Sequence, residues 1–312
     1  MRSIRRLNHL AILAAAASVM ALLVTMAESS PRLRIDLDAD ASQMSELVRL
    51  AQGAHVIGIG ESHDHPAHHA AQARIVEALA TAGVSLALAF EMLTQDQQAG
   101  VDASLAENLS AEQLDARLAW TSRGWPDFAM YFPLFELARR HRLAVIAADL
   151  EPASVRTVSR RGLGAVSDDD REGLRSRLPV NTDREDALRR ELKDAHCGFL
   201  PAAAQGTMAE AWHARNVTIA RRTLEAVNRG RTVVLITGRG HLAPDAIPGQ
   251  LAELKPGSRS FVVDLVEEGT TALPNADVVW TTARMVRPDK CEELRKRMPR
   301  GREGTSGHER QM

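Results

Sequence analysis

The sequence predicts an α/β fold: a mostly parallel sheet with helices on both faces and a helical lid or subdomain between its third and fourth strands. Three observations lead there. Short apolar runs of strand length recur along the chain. They are continuously apolar and do not alternate, so both of their faces are buried. Helix-patterned segments separate them, which is how parallel strands are covered and joined by right-handed crossovers.

In chain order, His55–Glu61 (HVIGIGE) is the first expected strand and closes in polar residues. Pro66–Ala82 follows as an expected helix, with Pro66 in its first turn and Gly83 just past its end, the usual asymmetry of helix ends. Leu86–Met92 is the second expected strand. Met130–His141 reads as a helix and Ala144–Leu150 as the third strand. A polar helical region then runs from Pro152 to Asp194, too long for a simple connection, and it supplies the lid at about 152–200. Thr207–Arg229 reads as a long amphipathic helix and Thr232–Gly238 as the fourth strand. Ser260–Glu267 and Val278–Thr282 complete the expected sheet. One domain over 36–288 holds these elements.

Both ends differ from the body. Arg2, Arg5 and Arg6 precede the uncharged run Leu10–Ala27, and Glu28-Ser29-Ser30-Pro31 breaks it. A basic start followed by an apolar stretch has the shape of a secretory signal, with cleavage favoured over an uncleaved anchor. Residues 1–27 are therefore expected to direct export, to the periplasm or the inner membrane. At the other end, residues 289–312 are rich in Arg, Gly and Glu and poor in apolar residues, and are expected to form a disordered tail.

Charge excludes one class of partner. Lys and Arg number 39 against 40 Asp and Glu, so the basic excess that nucleic-acid binding requires is missing. The two cysteines, Cys197 and Cys291, make no recognisable framework. They read as one buried and one surface thiol, with pairing in an oxidising compartment left open.

The polar residues gather at the strand ends. The first strand closes in Gly60-Glu61-Ser62-His63-Asp64-His65, the second in Glu91, the third in Asp149 and the fourth in Gly238-Arg239-Gly240-His241. Ligands of open α/β sheets bind beyond the carboxyl ends of strands, so four strands deliver carboxylates and imidazoles to one edge. On the following helix, His65, His69 and Gln72 share a face at i, i+4 and i+7, while His68 reads as part of a solvated first turn. His55 opens a strand and reads as structural. Arg215 shares a stripe with Trp212 and Ile219, so it is expected to be buried against an anion: Glu61, Glu91 or a ligand carboxylate. The segment from Trp120 to Phe135 holds the only tyrosine, Tyr131, and suits either an aromatic pocket wall or ordinary core. His196 sits in a Gly/Pro loop from which a cleft is within reach.

GESHDHPAHHAAQ at 60–72, AFEM at 89–92, WPDFAMYFPLFELA at 125–138, AHCGFLP at 195–201 and TGRGHL at 237–242 together resemble the ChaN family. This is a group of haem-binding uptake proteins in the Tiki/TraB superfamily, to which erythromycin esterases are similar. The resemblance runs in order from about residue 40 to 285. It implies an α/β fold, export to the cell envelope and haem binding linked to iron acquisition. It marks Glu61, His63, Asp64, His69, Gln72, Glu91, His196, Gly238 and His241 as family positions. Arg215-Asn216 resembles an Arg-Asp pair of the family with Asn216 replacing the acid, and Asp149 stands where the family often has Asn. Many such proteins are lipoproteins; with no cysteine before Cys197, lipidation of that kind is not expected.

Two functions follow as expectations. The first is haem binding, with Tyr131 or His63 as iron ligand, His69 and His196 as rivals, and Arg215 on a propionate. Glu61, Gln72, Glu91 and His241 would complete the pocket, other envelope uptake components would be partners, and a homodimer is left open. The second is a hydrolase, in which Glu61, His63, Glu91 and His241 either bind a divalent metal or work without one as general base.

Overall fold

The computed structural model describes residues 31–297. The expected export segment at 1–27 and the end of the expected tail, 298–312, lie outside them. Seven strands form one all-parallel sheet: β1 (Leu33–Asp36), β2 (Val56–Glu61), β3 (Leu86–Thr94), β4 (Ala144–Asp149), β5 (Thr232–Gly238), β6 (Ser260–Glu267) and β7 (Val278–Thr282). Their order is β1-β7-β6-β2-β5-β3-β4.

One face carries α1 (Ala41–Ala51), α2 (Pro66–Thr81), α3 (Gln98–Ala106), α4 (Ala111–Leu118) and α5 (Phe132–His141). Ile57 and Ile59 of β2 turn to this side and pack in one core with Ile75 and Leu79 of α2 and Leu134 of α5. The other face carries α9 (Ala202–Val227) and α10 (Ile247–Leu254), whose Ile219, Leu224 and Leu251 meet Val56, Ala89 and Leu235. Alternate residues of each strand thus feed opposite cores, and this explains why the strands read as unbroken apolar runs.

The expected helical lid is present between β4 and β5. It consists of α6 (Pro152–Arg161), α7 (Asp168–Leu174) and α8 (Thr182–Ala195); Val158 and Leu174 pack on Ala211 and Ala214 of α9. At the start of α2 the His65 ring accepts from the Ala67 amide at 3.2 Å, and Pro66 occupies the first turn. Gly83 beyond the end of α2 has φ +80°, a backbone state that glycine adopts without steric cost. Sequence patterning had not marked β1, α1, α3 or α4, and had started α9 five residues late.

Two expectations about the C-terminal region need correcting. Lys290–Arg297 forms a helix, α11, where a disordered tail was expected. Cys197 and Cys291 are joined in a disulfide, with Cα atoms 5.3 Å apart, where two separate thiols had been favoured. The cause is the path of the chain after β7. Arg287 makes a bidentate ion pair with Asp64 at 2.8 and 2.9 Å and a second pair with Glu267 at 2.7 Å. These contacts lead the chain back along the carboxyl edge of the sheet to the turn between α8 and α9.

Candidate functional site

The parallel register of β2 and β5 sets Glu61 beside Gly238. From there β2 leaves through α2 over one face, and β5 leaves through α10 over the other. Neighbouring strands whose exits diverge in this way open a crevice at their carboxyl ends.

On the α2 side the centre is Glu61, which is fully buried. Its Oε1 accepts from the Tyr131 hydroxyl at 2.6 Å and from His63 Nδ1 at 2.8 Å. Its Oε2 accepts from the Gln72 amide and lies 3.2 Å from His69 Nδ1. Burial opposes the charge, but the hydrogen bonds and positive charge of His63 and His69 outweigh it and hold the carboxyl at about 2, against an ordinary 4.5. His69 faces oxygen on both sides: Glu61 and Gln72 at Nδ1, and the His63 carbonyl at Nε2, 3.0 Å away. Two acceptors require two ring protons. Burial works against that second proton, yet the Glu61 contact raises the His69 pKa above its ordinary value.

On the α9 side the centre is Glu91. Its Oε1 accepts from Arg215 Nη2 at 2.8 Å and lies 3.2 Å from His241 Nε2. Its Oε2 accepts from the Thr237 hydroxyl at 2.7 Å and the Gly238 amide at 2.8 Å. Burial again opposes ionisation, and the neighbouring His241 and Arg215 drive the pKa well below the ordinary range. Asp149 takes Arg215 Nε and Nη2 at 2.9 and 2.6 Å. Burial nevertheless raises its pKa. His241 Nδ1 bonds Asn216 at 2.7 Å, and the Asn216 amide donates to the Trp212 carbonyl. The Trp212 ring stacks on His241 at 5.8 Å.

Glu61 therefore has four donors around two oxygens, which is its full capacity, and Glu91 has three, with His241 Nε2 a further 3.2 Å contact. Among the described residues no three His, Cys, Asp or Glu side chains converge to hold a metal ion. A divalent cation would have to displace donors already in place on both Glu61 and Glu91.

Two groups stay open. Burial lowers the His63 pKa, but the Glu61 hydrogen bond and the charges of Glu91 and Glu61 outweigh it and raise the value. Once the ring is neutral, with its proton on Nδ1 toward Glu61, it keeps a lone pair on Nε2, and the side chain is 32% exposed. A Cβ on Gly238 would stand 2.9 Å from that nitrogen; glycine at this position leaves room for the ring. Arg215 is 23% exposed, and its Nη1 has no partner among the described residues. Trp125 meets His63 edge-on at 5.2 Å. The crevice thus presents an imidazole nitrogen and a guanidinium, with Trp125 beside the first and Trp212 beside the His241 that supports the second. A cavity of about 740 Å³ lies elsewhere, between α1, α2 and α5, and includes none of these residues.

Residues 47–251 match the model of the family described as haem-binding uptake, Tiki superfamily, ChaN. The chain belongs to the ChaN family. Among solved structures, it is similar to ChaN of Campylobacter jejuni, described for its cofacial haem binding, at 19% identity and TM-score 0.60, over 77% of this chain and 91% of that one. It is also similar to an erythromycin esterase in its open conformation, at 12% identity and TM-score 0.46, over 74% of each chain. No curated protein matches the sequence.

Within this ChaN-family fold, Glu61, His63, His69, Gln72, Glu91, Arg215 and His241 come together as the sequence suggested. Tyr131 comes with them in a different role. It is 0% exposed, and its hydroxyl is spent on Glu61; burial, reinforced by the Glu61 charge, raises the phenol pKa far above its ordinary value. An axial-ligand role is therefore not available to Tyr131 in this arrangement. The surrounding Trp120, Phe128 and Phe135 are likewise core, so only Trp125 of that aromatic segment borders the crevice. His196 does not join. It is exposed at the end of α8, and its ring bonds the Leu192 carbonyl at 2.7 Å. His68 is buried, not solvated. It accepts from the Ser62 amide and pairs with Thr282, each at 3.0 Å, and burial together with neighbouring His65 lowers its pKa to about 3. His55 accepts from the Arg259 amide at the sheet's other edge. Asp64 is held by Arg287. Sequence reasoning missed Thr237, although it has the same strand parity as the inward-facing Val233 and Leu235.

Proposed function

We propose that the chain is an exported haem-binding protein of the envelope, acting in haem or iron uptake, with His63 Nε2 as the iron ligand and Arg215 Nη1 as the propionate anchor. One observation carries this reading. Glu61 commits the inner nitrogen of His63 and leaves the outer one unpartnered, solvent-reaching and next to Trp125. A carboxylate behind a ligating imidazole fixes its tautomer and orientation. A guanidinium with a free N–H edge suits a carboxylate. Bound haem would supply iron for the imidazole and a flat apolar face for the tryptophan. The family match over residues 47–251 supports the same ligand.

The deciding experiment is a haem titration of the chain lacking residues 1–27, read by its visible spectrum. A saturable Soret shift at stoichiometric haem is expected, lost or moved in His63→Ala. An unchanged spectrum in His63→Ala would remove His63 from the ligand role. Fractionation of cells expressing the full chain should place it in the periplasm or on the inner membrane; a cytosolic location would refute export.

The same unpartnered nitrogen favours a second reading, a metal-free hydrolase in which His63 is the general base and Arg215 holds an anionic substrate group. Ester turnover by haem-free protein, abolished in His63→Ala, would support it.

A further inference from the structure

Arg221 lies six residues beyond Arg215 on α9. Its Nε is buried with no hydrogen-bond partner, and no carboxylate among the described residues comes within 4.0 Å of its guanidinium. The next residue on the helix, Arg222, shows what a satisfied arginine looks like here: it bonds Glu225 at 2.6 Å, Gln98 at 3.2 Å and the Ala147 carbonyl at 3.4 Å. Glu172, an acid on which the Arg221 charge acts, is itself bonded to Arg177 at 2.6 Å. This half-buried cation therefore has no paired counter-charge, and an anion from outside would offset its desolvation cost.

Arg221 lines a cavity of about 480 Å³ between α6, α7 and α9, together with Gln95, Ser154, Glu151 and Asp169. Gln95 follows β3 and Glu151 nearly follows β4, so the cavity lies beyond strand carboxyl ends, where this class of fold binds ligands. Its size suits a small molecule. Two other acids at the cavity are already engaged, Asp170 by Ser167 and Glu225 by Arg222. Glu151 and Asp169 are exposed and have no side-chain partner among the described residues. The cavity therefore offers one open cation inside and two open carboxylates at its rim.

We infer that this cavity binds a small zwitterion, a free amino acid or dipeptide, with the ligand carboxylate on Arg221 and its ammonium toward Glu151 and Asp169. The inference does not rest on the haem reading, since neither His63 nor Arg215 lines the cavity.

Calorimetric titration of the full, haem-free chain with individual amino acids and simple dipeptides tests it, with acetate and methylammonium as singly charged controls. Saturable binding is expected for at least one zwitterion and for neither control. Arg221→Gln should weaken it roughly tenfold or more, the loss of one charge-assisted contact. Asp169→Asn, an exposed change that leaves folding intact, should weaken it by a smaller factor. Haem titration of Arg221→Gln should match wild type, which separates the two sites. Acetate binding as tightly as any zwitterion would overturn the inference. So would the absence of saturation across the panel, or an affinity that neither substitution alters.

Discussion

His63 Nδ1 lies 2.8 Å from Glu61 Oε1, and that bond decides which nitrogen of the ring faces the crevice. Glu61 is in turn held by Tyr131, Gln72 and His69. The open imidazole is thus the tip of a buried network, and several expectations follow from how the network is built.

Glu61→Gln removes the charge that the doubly protonated His69 faces. Breaking a buried pair by neutralising one partner costs about 3–5 kcal/mol, so the haem-free variant should unfold at markedly lower urea concentration. The loss should depend on pH. The folded pKa of Glu61, about 2, lies below the ordinary 4.5, so its contribution is full above pH 4.5 and fades as pH falls toward 2. The folded pKa of His69 lies above the ordinary 6.5, so its contribution is full below 6.5 and fades as pH rises through the folded value. The gap between wild-type and variant midpoints should be widest between pH 4.5 and 6.5. A gap independent of pH would mean the two charges are not coupled.

Gly238→Ala probes the room left for His63. Gly238 has φ −58°, which alanine adopts freely, so the backbone is not strained. The added methyl would meet His63 Nε2 at 2.9 Å. Haem affinity should fall about tenfold or more, equivalent to about 1.4 kcal/mol, with little change in melting temperature. Equal loss of stability and affinity would point to general disruption.

Tyr131→Phe should leave the Soret band of the haem complex in place, because the phenol is sealed in the core. Removing the hydroxyl strips one donor from buried Glu61 and should cost about 1–3 kcal/mol in stability. Loss of the band with stability intact would restore Tyr131 as the iron ligand.

Cys291→Ser opens the bond between α11 and the α8–α9 turn, a closure of 94 residues. A stability loss of about 2–4 kcal/mol is expected, reproduced in wild type by a reducing agent. A reducing agent that shifts Cys291→Ser equally would show that the effect lies elsewhere.

Much of this fold was legible because strands buried on both faces have no choice but to read as apolar runs, and six of the seven did. β1 escaped because it is four residues long with one buried side chain. The convergence of Glu61, Glu91, Asp149 and His241 followed from strand ends alone. What could not be read was which of these groups remain open. Glu61 and Glu91 look like ligands in a sequence; only the positions of Tyr131, Gln72, Thr237 and the Gly238 amide reveal that both of their oxygens are already engaged. His68 looked solvated because its partner Thr282 is 214 positions away. The disulfide was hidden for the same reason, since proximity created by Arg287 on Asp64 leaves no local trace.

The strand order has a consequence for how the crevice comes into being. β2 ends at Glu61, but its neighbours β5 and β6 begin at Thr232 and Ser260. As the chain is synthesised, the first half of the crevice therefore waits, with both edges of β2 unpaired, until residues 62–231 have been made. Closing so long a loop is slow, and no fragment ending before β5 can hold His63 against Gly238 or bring His241 to Glu91. Assembly of the crevice thus waits for β5 and the His241 turn that follows it, by topology alone.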